Sequence, residues 1–308
     1  MYNLSINAEF NLWNQIFPEF TIDDYIFILP PANIIGDTYI PLGFIKSFEK
    51  YRRKKVYIAA SGYLSAHKKV INLFSFESNK VKFLDQQSFQ IVTEIYCNGP
   101  YIVFLDKIDK RFFANQLASI VHPGFGSDAI NWIQKGISLY DLYKIHLNLD
   151  SNIVINYHHS TSLQDSKALQ LFNDMGLKSQ KTVIIFPDTN TIKWNSIEFI
   201  NDLAELLINN NFKVIIDTNN SRSFNNFKNT QLELGVIVPF INLCGFSIIL
   251  RSGMADITNG SSSKRVILYP SHTYKSTFTL ASLGTDLIEL VHEENNGWID
   301  SLLNFFKL

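Results

Sequence analysis

The chain has 308 residues, 46% hydrophobic and 18% charged, with 27 basic and 28 acidic side chains. At that length a chain buries about three quarters of the surface it exposes unfolded, enough for one large or two ordinary domains, and the composition excludes disorder, collagen and coiled coil. The near-zero net charge argues against a general nucleic-acid binder.

The pattern along the chain is strand, turn, helix, repeated. Tyr25–Pro30 reads as a short buried strand ending in a Pro-Pro turn, Ile40–Tyr51 as a helix running into a basic stretch, and Val56–Ala60 as a second strand broken by Gly62. Further strands are expected at Val81–Leu84, Gln90–Tyr96 and Tyr101–Leu105, with helical segments at Phe112–Ile120 and Leu139–Leu147. The second half alternates more clearly. Strands are expected at Lys181–Pro187, Lys213–Asp217, Gly235–Val238, Phe246–Leu250, Lys264–Tyr269 and Asp286–Leu290. Helices are expected at Ser196–Ile208, just after Gly253, and at Asn296–Phe306.

Continuous apolar strands alternating with amphipathic helices predict parallel sheets covered on both faces. The polar stretch from Asp150 to Gln180 reads as a seam, which gives two Rossmann-like α/β domains at 1–160 and 161–308. Two cysteines, Cys97 and Cys244, make neither a disulfide framework nor a metal-ligand spacing, which fits a reducing, cytoplasmic compartment. Met1–Phe10 lacks a signal-peptide pattern. The longest uncharged run, the 17 residues Leu234–Leu250, is too short and too broken by Pro239, Asn242 and Gly245 to span a bilayer. The expectation is a soluble protein.

In open α/β sheets ligands bind beyond the carboxyl ends of strands, which ranks the loops. The first, Leu29–Asp37, places Asn33 and Asp37 at the start of a helix. Asp37 suits either a base or a carboxylate that favours the helix dipole. The second, Pro187–Trp194, offers Thr189 and Lys193, which suit a diphosphate or equally an ordinary polar loop. The third, Leu250–Asp256, joins Arg251, Ser252, Gly253 and Asp256 at a strand-to-helix turn, suited to a phosphate or to a turn whose arginine faces solvent. His122 lies in the glycine-rich stretch His122–Gly126. Lys46, Lys50, Arg52, Arg53, Lys54, Lys55, Lys68 and Lys69, set against the single acid Glu49, suit a solvated helix end or an anionic partner such as a phospholipid headgroup. Walker A, GxGxxG, HExxH and GxSxG patterns are absent.

The order of these features resembles glycosyltransferase family 9, the ADP-heptose:lipopolysaccharide heptosyltransferases. Its elements are a strand, then Gly36-Asp37, a helix and a basic stretch. Later come a strand, Lys193-Trp194, a helix, and a strand running into Ser252-Gly253-Met254. The resemblance implies the GT-B fold, two Rossmann-like domains facing each other across a cleft. It implies an acceptor-binding N-terminal domain and a nucleotide-sugar-binding C-terminal domain. Asp37 is the implied base, Lys193, Thr189, Arg251, Ser252, Gly253 and Asp256 the donor side, and Asn33, His122 and Arg52 the acceptor side. Two departures stand out. Lys193 abuts Trp194 where the family has a residue between, and the family's Asp-Ser-Gly-Pro-Met-His pattern meets Arg251-Ser252-Gly253-Met254, without the Asp, Pro or His. They imply a nucleotide sugar other than ADP-heptose.

The expected activity is metal-independent transfer of a sugar from a nucleotide sugar to a bacterial surface glycan (lipopolysaccharide, O-antigen or capsule), with no cofactor. The implied partners are the nucleotide sugar, a glycan or lipid-linked glycan acceptor and the anionic inner face of the cytoplasmic membrane, but no nucleic acid. The alternative is a non-catalytic nucleotide- or sugar-binding component of a polysaccharide assembly complex.

Overall fold

The computed structural model describes residues 5–97, 117–123, 137–189, 197–219, 224, 227–280, 286–292 and 297–306. The chain divides into two compact units, Met1–Asn156 and Tyr157–Leu308.

The first unit contains α1 (Ile6–Ile16), β1 (Tyr25–Ile28), α2 (Ile35–Arg52), β2 (Val56–Ser61), α3 (Ser65–Ile71), β3 (Val81–Leu84), α4 (Gln86–Cys97), β4 (Ala118–Ile120) and α5 (Leu139–His146). Its sheet runs β3-β2-β1-β4 with every described pair parallel. β1 and β2 are buried along their whole length, as two covered faces require. α2 ends at Arg53, whose φ of 55° turns the chain into β2. Gly43 lets α2 lie against the segment before the second unit, because a Cβ there would meet Ile155 at 2.3 Å. α1, which the sequence reading did not anticipate, docks through Trp13, packed with Phe17 and Phe20 around Tyr57. Its buried Glu9 accepts hydrogen bonds from the Tyr96 hydroxyl (2.7 Å) and the Leu117 amide (3.3 Å), tying α1 to α4 and to the start of β4.

The second unit contains α6 (Ser162–Asp174), β5 (Thr182–Phe186), α7 (Ile197–Asn209), β6 (Lys213–Asp217), β7 (Lys228–Thr230), α8 (Leu234–Cys244), β8 (Gly245–Leu250), α9 (Gly253–Ile257), β9 (Lys264–Tyr269), α10 (His272–Phe278), β10 (Leu287–Val291) and α11 (Gly297–Phe306). Six parallel strands run β10-β9-β8-β5-β6-β7. Ile200, Leu203 and Leu207 of α7 and Trp298, Leu302 and Phe306 of α11 share a core with Val183, Ile185, Ile216, Ile248, Val266 and Leu268 of the sheet. α6 starts with a capping box between Thr161 and Gln164 and packs on α8.

Three expected elements are corrected. Gln90–Tyr96 is not a strand but the body of α4. Phe89, Val92 and Thr93 are buried at helical spacing, and Asp85 accepts from the amide and hydroxyl of Ser88 at the helix start (2.9 and 2.8 Å). Gly235–Val238 is helical too: Val236, Ile237, Phe240, Ile241 and Cys244 form the buried stripe of α8, and Gly245, at φ 91°, ends it. The described end of the expected helix Phe112–Ile120 is β4, which pairs with β1 through Ile26↔Ala118 and Ile28↔Ile120. The expected strand Tyr101–Leu105 lies outside the described residues.

Candidate functional site

Both sheets are built outward from a central strand and then reverse, so each has one switch point, between β1 and β4 and between β5 and β8. There the connections leave in opposite directions and open a crevice at the carboxyl ends.

At the first switch point, Asp37 sits in the first turn of α2, where the helix dipole favours a negative charge. His122, two residues past the end of β4, brings its Nε2 to 3.5 Å from Asp37 Oδ1, and the two side chains are 19% and 23% exposed. The His122 ring lies edge-on to Tyr143 at 5.7 Å, and the Tyr143 hydroxyl donates to the Asp37 carbonyl (3.5 Å). One turn along α5, His146 holds the Ile120 carbonyl at 2.9 Å. Burial pushes that imidazole down to about 4. α5 therefore fixes both the end of β4 and the Asp37–His122 pair.

Asn33, expected on the acceptor side, lies in the loop after β1. Its side-chain oxygen accepts from the Ala66 amide (2.8 Å) and the Ser65 hydroxyl (3.2 Å), closing the start of α3. His67, which sequence reading missed, accepts from the Ser61 amide at Nδ1 (2.9 Å) and approaches the Pro30 carbonyl with Nε2 (3.0 Å). It clamps the loops after β1 and β2 to each other, and burial pushes it down to about 4. Arg52, expected on the acceptor side, lies in the last turn of α2, about 22 Å along the helix axis from Asp37.

At the second switch point, Thr189 is half-buried in the described start of the loop after β5. The preceding Asp188 accepts from the Thr218 hydroxyl (2.9 Å) and the Asn219 amide (2.7 Å), locking the ends of β5 and β6 together. Burial pushes the neighbouring Asp217 up to about 6, even though it accepts from the Leu232 amide. Lys193 lies outside the described residues.

Arg251 and Asp256, expected on the donor side, face each other. The Arg251 guanidinium turns inward and pairs bidentately with Asp256, at 2.8 Å from NH2 to Oδ1 and 3.1 Å from NH1 to Oδ2, with side chains 5% and 3% exposed. It also donates to the Phe278 carbonyl (3.0 Å) and the Ser252 carbonyl (2.6 Å). The pair braces the turn from β8 into α9. Ser252 and Gly253 are left half-buried at that turn, and the Ser252 hydroxyl accepts from the Met254 amide (3.3 Å).

Two parallel sheets in one chain, each with its own switch point, define a tandem Rossmann-like protein of the kind that binds nucleotides at strand ends. Within that class the chain is similar in structure to a glycosyl transferase of family 9 from Veillonella parvula, at 14% identity and a TM-score of 0.59, over 91% of this chain and 90% of that one. It is also similar to ADP-heptose LPS heptosyltransferase II of E. coli, at 13% identity and a TM-score of 0.57, over 92% and 98%. A third is TibC of enterotoxigenic E. coli, a dodecameric iron-containing heptosyltransferase solved with ADP-D-beta-D-heptose, at 13% identity and a TM-score of 0.54, over 91% and 66%. At these identities the likeness is one of fold, and the fold is the GT-B fold of these glycosyltransferases. No protein-family model and no curated protein sequence matches the chain. Among the described residues no three His, Cys, Asp or Glu side chains converge to hold a metal ion, and no helix is long and apolar enough to cross a membrane.

Proposed function

We propose that the protein is a glycosyltransferase that moves a sugar from a nucleotide-sugar donor to a bacterial surface glycan of the lipopolysaccharide, O-antigen or capsule type. The observation that carries this reading is Asp37. On a fold shared with heptosyltransferases over about nine tenths of the chain, it supplies a carboxylate at the first switch point, held by α2 and α5. In this reading the first unit binds the acceptor and Asp37 removes the proton of the attacking hydroxyl. The second unit holds the nucleotide at the β5–β8 switch point, with Thr189, Lys193, Ser252 and Gly253 at the diphosphate. Arg251 and Asp256 keep that turn in place without touching the donor.

Charge builds on the leaving diphosphate as the glycosidic bond breaks, and fixed donors at the strand ends lower that barrier. The reading assigns the charge to the protein's own groups rather than to a resident metal, so EDTA leaves turnover unchanged. The basic residues divide between the ends of the first sheet. Lys50 lies exposed in the last turn of α2 and Arg53 and Lys55 between α2 and β2, whereas Lys68 and Lys69 lie on α3, past the carboxyl end of β2. We assign the first group to a lipid-linked acceptor's membrane surface, where each such cation is worth about 1 kcal/mol.

The test is a thermal-shift screen against ADP, GDP, UDP, CMP and their sugar conjugates, followed by turnover of Asp37→Asn. A ligand at about 100 times its dissociation constant adds about 2.7 kcal/mol to the folded state. The expected result is a shift with one nucleotide, retained in Asp37→Asn while turnover is lost. A chain stabilised by none of these nucleotides is not a transferase of this kind.

A further inference from the structure

We propose that the base of the transfer is the Asp37–His122 pair, with His122 Nε2 receiving the proton that Asp37 removes from the acceptor hydroxyl. This rests on the reading of Asp37 as the base. Three observations support it. The two groups are 3.5 Å apart at the carboxyl ends of adjacent strands, and each is about four-fifths covered. A catalytic pair at this separation commonly closes once substrate is bound. Both meet one residue, since the Tyr143 hydroxyl donates to the Asp37 carbonyl and its ring stands perpendicular to the His122 ring, with centroids 5.7 Å apart. His122 lies two residues past β4, between the buried Val121 and Pro123.

The chemistry gives the pair an advantage over a lone carboxylate. An imidazole is ordinarily a stronger base than a carboxylate, so an imidazole behind the carboxylate gives the proton a firmer resting place. In the balanced step the acceptor O–H breaks and its electron pair forms the new bond to the anomeric carbon. The bond from that carbon to the diphosphate breaks, and the nucleoside diphosphate leaves with the pair. The proton passes through the Asp37 carboxylate to Nε2 of neutral His122, ending as a carboxylate–imidazolium pair. Titratable groups beside His122 include Asp37 from α2 and Tyr143 and His146 from α5. His146 is kept neutral by burial and adds no competing charge.

The experiment is the pH dependence of kcat/KM for the full chain, using whichever nucleotide sugar the screen identifies, in the wild type, His122→Gln and Asp37→Asn. The wild type loses activity on the acid side of its profile. His122→Gln lowers kcat/KM about tenfold or more and moves that limb to lower pH, because the base that remains is a carboxylate. A purely structural role lowers the rate and leaves the limb in place, and that result overturns the proposal. If Asp37→Asn is inactive while His122→Gln keeps the wild-type profile, only the relay fails. If Asp37→Asn is fully active, the base reading itself fails. An NMR titration of the His122 ring gives a check independent of turnover. Replacing Asp37 by Asn lowers the imidazole pKa if the two are coupled, and an unchanged value overturns the proposal even where His122→Gln does not fold.

Discussion

The Arg251–Asp256 pair permits a prediction that separates a structural brace from a ligand. Both side chains are almost fully buried, and two N–O contacts of 2.8 and 3.1 Å join them. Removing one member of such a pair strands the other charge and costs about 3–5 kcal/mol, whereas replacing both with apolar side chains of similar volume costs much less. Arg251→Met sits at the upper end of that range, because the Phe278 and Ser252 carbonyls lose their donor together with Asp256. Asp256→Leu sits at the lower end, because those two carbonyls still receive the guanidinium. The double variant recovers about 2–3 kcal/mol relative to the sum of the singles. The assay is urea unfolding of the four proteins, with the affinity of the identified nucleotide measured in parallel under native conditions. A brace weakens nucleotide binding similarly in both single variants, since either one loosens the turn at Ser252. The reasoning is refuted if the single costs fall below about 1 kcal/mol, or if Arg251→Met alone abolishes binding while Asp256→Leu leaves it intact.

Acidification separates the two units. Burial depresses His67 and His146 in the first unit and His158 in the second to about 4. Each stays neutral when folded and takes a proton when unfolded below about pH 6.5, so its contribution of about 3 kcal/mol is present above that pH and lost as pH falls toward 4. Asp217, pushed up to about 6, runs in the opposite sense and offsets His158, while the raised Glu9 offsets part of the first unit's loss. Amide hydrogen exchange therefore shows β1–β4 losing protection at a higher pH than β5–β10, and simultaneous loss contradicts the assignment. Gly43→Ala forces a Cβ against Ile155 and destabilises the first unit by about 1–3 kcal/mol, read as a lower urea midpoint. Arg52→Ala, at the far end of α2 from Asp37, leaves kcat/KM within about twofold of wild type.

Much of the fold was legible because the central strands carry unbroken apolar runs. Ile26-Phe27-Ile28, Val183-Ile184-Ile185 and Ile248-Ile249-Leu250 have no polar face to show, which only a doubly covered parallel sheet allows. The same property misled at Gly235–Val238, where a short apolar run has no readable period and Pro239 suggested a break. There the helix is settled by packing, with Gly235 admitting the Gln164 side chain of α6. Gln90–Tyr96 failed for a related reason, since its β-branched Ile91, Val92, Thr93 and Ile95 read as strand residues and obscured the helical face carried by Phe89, Val92 and Thr93. The start of that helix was written in Asp85 and Ser88. Within the candidate site, Asp37 and His122 were each visible as strand-end residues, but their proximity depends on β4 pairing with β1 across 92 residues of sequence. No local pattern encodes that pairing.

The direction of Arg251 shows how a departure from a family pattern becomes intelligible once partners are seen. An arginine in the first position, where the resembled pattern has Asp, would by itself bury an uncompensated guanidinium beneath the β8–α9 turn, at a cost of several kcal/mol. Asp256 supplies the compensating carboxylate, and the charges close on each other. Ser252 and Gly253, which match the pattern, are left partly accessible by the turn. Their amides and the Ser252 hydroxyl lie at the strand end where a nucleotide diphosphate binds in sheets of this order. The buried pair supports the turn from beneath, and Ser252 and Gly253 are the part of it left partly open to a ligand.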